Sequence, residues 1–131
     1  MMHEELSGRI INAYFHVYNA QGVGFLEKVY ENSLRNVLRK SGLQVEQQKK
    51  LDVYFEGDIV GEYYADLVVN GMIILELKAA TAIVPEHEAQ LISYLKGTTI
   101  ELGLLFNFGG SKPEFSRKIF SNENKINLRA L

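Results

Sequence analysis

Tyr63-Tyr64-Ala65-Asp66-Leu67-Val68-Val69-Asn70-Gly71-Met72-Ile73-Ile74-Leu75-Glu76-Leu77-Lys78 decides how this chain folds. Two apolar runs flank Asn70-Gly71, a pair that tolerates the left-handed backbone of a hairpin turn. The stretch therefore predicts two neighbouring antiparallel strands, about 59–69 and 72–78. Each carries charge inside an otherwise apolar run: Asp66 in the first, Glu76 and Lys78 in the second. Residues two apart share a face of a strand, so Glu76 and Lys78 point the same way. Burying such groups costs several kcal/mol each unless they are paired or metal-bound. A Glu76–Lys78 ion pair is the plain structural account. Two neighbouring carboxylates, however, repel unless a divalent cation sits between them. Oxygen donors on rigid strands suit Mg²⁺ or Mn²⁺, which keep several waters and so leave room for a phosphate. Beside such an ion Lys78 would orient the water or stabilise charge on the phosphate.

Strand parity tests this idea. A two-residue Asn70-Gly71 loop pairs Val69 with Met72 and Asp66 with Leu75, which turns Asp66 away from Glu76. A three-residue loop, Val69-Asn70-Gly71, with Gly71 left-handed, pairs Val68 with Met72 and Asp66 with Ile74. Asp66 then lies diagonally beside Glu76, at a Cα spacing of roughly 7–8 Å. The bulged turn, with Gly71 at positive φ, is the expectation.

Upstream, residues 44–56 alternate, with Leu51, Val53 and Phe55 between Lys50, Asp52, Tyr54 and Glu56, which reads as a further strand closed by a turn at Glu56-Gly57-Asp58. Before it, Leu6, Ile10, Ala13, Tyr14 and Val17 recur at helical spacing over 4–20. Leu26, Tyr30, Leu34, Val37 and Leu38 do so over 25–41, with Gly42 just past the end of that helix. Downstream, Pro85 opens a helix carrying Leu91, Ile92 and Leu95 to about Gly97, and strands follow over 102–108 and 115–120. The order ααβββαββ is an α/β fold, a mixed sheet flanked by helices.

The 131 residues fit one domain, 1–131, and 47% hydrophobic with 23% charged residues supply an ordinary core. With 0 Cys, disulfide scaffolds, thiolate nucleophiles and zinc ribbons drop out. The start MMHEELSGRI lacks the basic opening of a signal peptide and no apolar run approaches a membrane span, so a cytoplasmic protein without a membrane is expected. A net charge of -2 does not announce a nucleic-acid binder. Residues 111–131 are locally basic, with Lys112, Arg117, Lys118, Lys125 and Arg129 against Glu114 and Glu123. That segment is a solvated tail or, functionally, a phosphate-contacting edge.

Asp66, Glu76 and Lys78 resemble the motif of the PD-(D/E)xK nuclease superfamily, an Asp on the second strand and Glu-x-Lys on the third; the proline that often precedes the Asp is replaced by Ala65. Gly24-Phe25-Leu26-Glu27-Lys28-Val29-Tyr30 is similar to the GxxExxY signature of a bacterial family in that superfamily. Gln90-Leu91-Ile92-Ser93-Tyr94 resembles the QxxxY motif of RecB-type members. The resemblance, over about residues 6–108, implies a restriction-endonuclease-like core and the RecB-like, lambda-exonuclease-like branch. It implies a Mg²⁺-dependent nuclease acting on nucleic acid, DNA before RNA. Asp66, Glu76 and the Leu77 carbonyl would hold the metal, Glu27 a second ion or a water, and Lys78 the nucleophile. Gln90 and Tyr94 would support substrate.

Each piece also has a plain reading. Glu27 suits the first turn of any helix, Gln90 and Tyr94 suit helix surface and core, and His87 suits an exposed surface. Of Tyr14, Tyr18, Tyr30, Tyr63 and Tyr64, most fall at core or near-core spacing rather than on a base-stacking platform. The rival function is a non-catalytic module that keeps the nuclease fold and binds nucleic acid or protein. A homodimer or a partner protein would then supply the surface that so small and acidic a chain lacks.

Overall fold

The computed structural model describes residues 2–128. Two helices come first, α1 (Glu4–Gln21) and α2 (Glu27–Lys40), then the strands β1 (Val45–Phe55), β2 (Asp58–Val69) and β3 (Ile73–Lys78). Helix α3 (Pro85–Gly97) crosses over to β4 (Leu102–Asn107) and β5 (Glu114–Ile119), and two short 3₁₀ turns follow. The five strands lie in chain order in one sheet, parallel between β3 and β4 and antiparallel elsewhere. The expected α/β order is thus observed, with a mixed sheet between helices.

Helices α1 and α2 cover one face, burying Ile10, Tyr14, Val17, Tyr30, Leu34 and Leu38 against Leu67, Val69, Ile73, Leu75, Leu77 and the β4 residues Leu102, Leu104 and Phe106. Helix α3 covers the other, with Leu91 and Leu95 on Leu51, Ala65, Val68, Ile74 and Leu105. It approaches closely because Gly103 has no side chain: a Cβ there would stand 2.5 Å from Leu91 Cδ1. Among the described residues no helix is long and apolar enough to cross a membrane.

The β2–β3 turn corrects the expected register. Val69 pairs with Ile73, Val68 with Ile74 and Leu67 with Leu75. The loop is therefore Asn70-Gly71-Met72, one residue further along than expected. Asn70 and Gly71 both take left-handed backbone, φ 52° and 66°, and the Met72 N–H closes the turn on the Val69 carbonyl at 2.9 Å. Gly71 at positive φ is as expected, and parity still lets Asp66 meet Glu76. The next pair in this series is Asp66 with Glu76, directly opposed rather than diagonal, and there the backbone ladder stops.

Two further expectations fail. The helical spacing over 25–41 puts Leu26 on the inward face with Tyr30 and Leu34, yet it is the extended residue before α2 and is 81% exposed. The basic C-terminal segment is largely tied into the fold. Arg117 donates to Ser7 Oγ and the Met2 carbonyl, Lys118 faces Glu88 at 3.6 Å, and buried Lys125 donates to the Thr98 and Ile100 carbonyls. Arg129 lies outside the described residues.

Candidate active site

The site forms where β2 and β3 part. Beyond Leu67↔Leu75, β2 stays with β1 while β3 continues along β4 to Lys78↔Asn107. Backbone N–H groups in this fork lack a ladder partner, and the two carboxylates take them. The Asp66 N–H donates to Glu76 Oε2 at 2.7 Å, and the Leu77 N–H donates to Asp66 Oδ2 at 2.9 Å. In an extended strand the N–H and C=O of one residue leave by the same edge. The Leu77 carbonyl therefore opens into the fork too, whereas the Lys78 carbonyl accepts from Phe108 N on the β4 side.

Glu76 is 4% exposed, and burial with the neighbouring Asp66 charge pushes its pKa up to about 8. Asp66 is also raised, first by burial and then by Glu31, against the Leu77 N–H, the Gln48 amide and Lys78. These shifts register negative charge that the fold leaves poorly compensated. The Glu76–Lys78 ion pair of the plain structural account does not form. Lys78 Nζ instead donates to Gln90 Oε1 at 3.3 Å, and Gln90 Nε2 reaches the Tyr94 hydroxyl at 3.4 Å. Spacing i, i+4 on α3 brings that amide and phenol to one face. Tyr94 stacks on Tyr63 at 4.6 Å and stays a phenol, its pKa pushed up to about 12 by burial and by Glu76 and Asp66.

The GxxExxY stretch gains a physical meaning. Gly24 takes φ 105°, and the Tyr30 hydroxyl closes the loop before α2 by donating to the Gly22 carbonyl at 2.6 Å and accepting the Phe25 N–H at 3.2 Å. The Tyr30 ring is anchored by stacking on Phe108 at 4.6 Å. Glu27, first residue of the helix so fixed, is exposed but close enough to the fork to feel it. Partial desolvation, Asp66 and Glu31 raise its pKa, against Lys78 and Lys28.

Three polar residues that the sequence reading passed over join this centre. Glu31, one turn after Glu27, is 2% exposed and accepts from Lys28 Nζ, Gln47 Nε2 and Gln48 Nε2. Gln48 also donates to Asp66 Oδ1 at 3.2 Å. Asn107, fully buried opposite Lys78, clasps Ala80 with both ends of its amide and so holds the turn that follows Lys78. The strand–turn contact needs Gly109, where a Cβ would overlap the Ala80 carbonyl oxygen. The spacing of Glu31 from Glu27 and the lone amide in 102–108 were the available signals. His87, by contrast, is a half-buried cap whose Nδ1 accepts the Val84 N–H.

Among the described residues no three carboxylate or imidazole groups form a ready-made metal cluster. The donors nonetheless fit a hard cation. Mg²⁺ needs only one or two protein carboxylates and fills its octahedron with water and phosphate, and half-buried Asp66 meets buried Glu76 without a cationic side chain between them.

A family model described as the PD-(D/E)XK nuclease superfamily matches residues 4–118. No curated protein matches the chain. The crystal structure of SSO0001 is similar in fold, with a TM-score of 0.57 at 20% identity, covering 72% of this chain. The match takes in 50% of that chain, so this sequence corresponds to about half of the longer protein.

Proposed function

This chain belongs to the PD-(D/E)XK nuclease superfamily, and from that premise we propose that it hydrolyses phosphodiester bonds of nucleic acid, with DNA the first substrate to test. The observation that carries the reading is the meeting of Asp66 and Glu76 in the fork, with Lys78 held beside them by Gln90. Mg²⁺ or Mn²⁺ bound there would supply Lewis acidity toward a phosphate and its attacking water.

In this reading Asp66, Glu76 and the Leu77 carbonyl would hold the ion, and Glu27 on α2 would hold a second ion or an ordered water. Lys78 orients the attacking water in line with the phosphorus or neutralises charge on the phosphate. Gln90 restrains the Lys78 ammonium, and the protonated Tyr94 hydroxyl is available as a donor to a phosphate oxygen. The loop geometry around Gly24, Glu27 and Tyr30 supports placement in the GxxExxY family, and Gln90 with Tyr94 supports the RecB-like branch. We read residues 1–131 as one cytoplasmic nuclease domain.

The test is a divalent-metal-dependent cleavage screen over single-stranded, duplex and branched substrates, with Asp66→Asn and Glu76→Gln as controls. Cleavage that needs Mg²⁺ or Mn²⁺ and vanishes in both variants is expected; wild-type cleavage in either variant refutes the site. A second reading, a non-catalytic module docking a partner protein or a second copy, is favoured by one observation: Val23, Phe25 and Leu26 are exposed side by side in the loop before Glu27. Mn²⁺ uptake without cleavage of any substrate would select it.

A further inference from the structure

Four residues other than glycine take positive φ among those described. His3 precedes α1, and Glu56 and Asn70 sit in hairpin turns, but Gln48, at φ 48°, lies inside β1. Such backbone is costly for a residue with a side chain, and it persists where the surroundings over-determine it. The β1–β2 register runs unshifted from Val45↔Val69 to Gln47↔Leu67 and again from Lys49↔Ala65, yet the Gln48–Asp66 position between them is skipped. The faces switch across the same point: Leu67 packs under α1 and α2, whereas Ala65 packs under α3.

The Gln48 side chain is used as fully as its backbone is distorted. Its Nε2 donates to Glu31 Oε1 at 3.0 Å and to Asp66 Oδ1 at 3.2 Å. Glu31 is itself buried in α2 and held on its other oxygen by Lys28 and Gln47. The Asp66 carboxylate is thus gripped on one oxygen from the β1 side and on the other by the Leu77 N–H from the β3 side.

We propose that Gln48 is a positioning residue: its left-handed backbone and its amide aim the Asp66 carboxylate into the fork and tie it to α2 through Glu31. The role rests on the reading that Asp66 and Glu76 bind a divalent cation. Groups that orient a ligand are worth about 10- to 100-fold in metal affinity when removed.

The test is Gln48→Gly, because glycine adopts this backbone freely while deleting the amide. Calorimetric titration of the whole chain with Mn²⁺ should show affinity falling about 10-fold or more, with the melting temperature in chelator little changed, since relieved strain offsets the lost bonds. Gln48→Asn, which tolerates the left-handed region but is one methylene too short to span both carboxylates, should show the same loss. Wild-type Mn²⁺ affinity in either folded variant overturns the proposal. So does a collapse of stability in chelator that accounts for the lost affinity, which would make Gln48 a structural strut. Failure of the unaltered protein to bind Mn²⁺ removes the cation reading itself, and the role of Gln48 with it.

Discussion

Replacing Glu76 by Gln separates the cost of the buried carboxylate from its use. Glu76 titrates at about 8 in the folded chain against 4.5 for the free side chain, because burial and Asp66 both oppose its charge. A group whose folded pKa is raised contributes stability that is complete below its unfolded pKa and is lost as pH climbs through the folded value. At about 1.4 kcal/mol per pH unit, the metal-free protein should lose about 4 kcal/mol between pH 5 and pH 8 from this residue. Asp66 and Glu27, raised as well, push in the same direction. Against a typical total of about 5–15 kcal/mol the effect is large. Urea unfolding in chelator at the two pH values reads it directly. Glu76→Gln should flatten most of the slope and be the more stable protein at pH 8. Mn²⁺ at a hundred times its dissociation constant should restore about 2.7 kcal/mol to the unaltered chain and little to the variant. An unchanged slope in Glu76→Gln would refute the reasoning, since the carboxylate would then not be the group whose charge the fold resists.

Lys78→Ala should lower turnover about 100-fold or more while Mn²⁺ affinity changes little, because an ammonium is a donor and not a ligand; matched losses of both would show that it only braces the carboxylates. Tyr30→Phe should cost about 1–3 kcal/mol in urea unfolding by orphaning the Gly22 carbonyl and the Phe25 N–H, and an unchanged midpoint would contradict its role as the loop's clasp. Gly103→Ala should cost about 1–3 kcal/mol by driving a methyl into Leu91, and adding Leu91→Ala should recover part of that loss; strict additivity would argue against the contact. Burial lowers the Lys125 pKa to about 8 from 10.5, so the folded state resists its charge and stability should rise between pH 8 and pH 10. That rise should be missing from Lys125→Met, and its persistence there would clear Lys125 of the effect.

Periodicity carried most of the architecture. Helical spacing through Ile10, Tyr14 and Val17, and alternation through Leu51 and Val53, are direct imprints of which face is buried, so the elements appear close to where they were expected. The Asp66, Glu76 and Lys78 grouping was legible because charges inside apolar strands have few physical explanations. What stayed hidden depends on backbone detail. The β2–β3 loop slid by one residue because Asn70 and Gly71 both tolerate left-handed backbone, and composition does not say which residues flank the turn. Leu26 matched the helical period yet lies one residue before α2 begins, where the chain is extended and points it to solvent. Gln48 was unreadable, since nothing about glutamine in a strand announces positive φ. The basic residues near the end looked like one electrostatic feature, but Arg117, Lys118 and Lys125 are each claimed by a different tertiary partner.

The fork has a mechanical consequence. The long β1–β2 hairpin joins the rest of the sheet through the three residue pairs from Leu67↔Leu75 to Val69↔Ile73, and past them the joint is closed by carboxylates in place of carbonyls. The amides of Asp66 and Leu77 are therefore guarded by groups whose charge and occupancy can change, while their neighbours in the ladder are guarded by groups that cannot. Hydrogen exchange at these two positions becomes a gauge of the joint. Protection that strengthens when a cation arrives, at Asp66 and Leu77 but not at Val68 or Ile74, would mean that filling the centre also stiffens the hinge on which the hairpin swings.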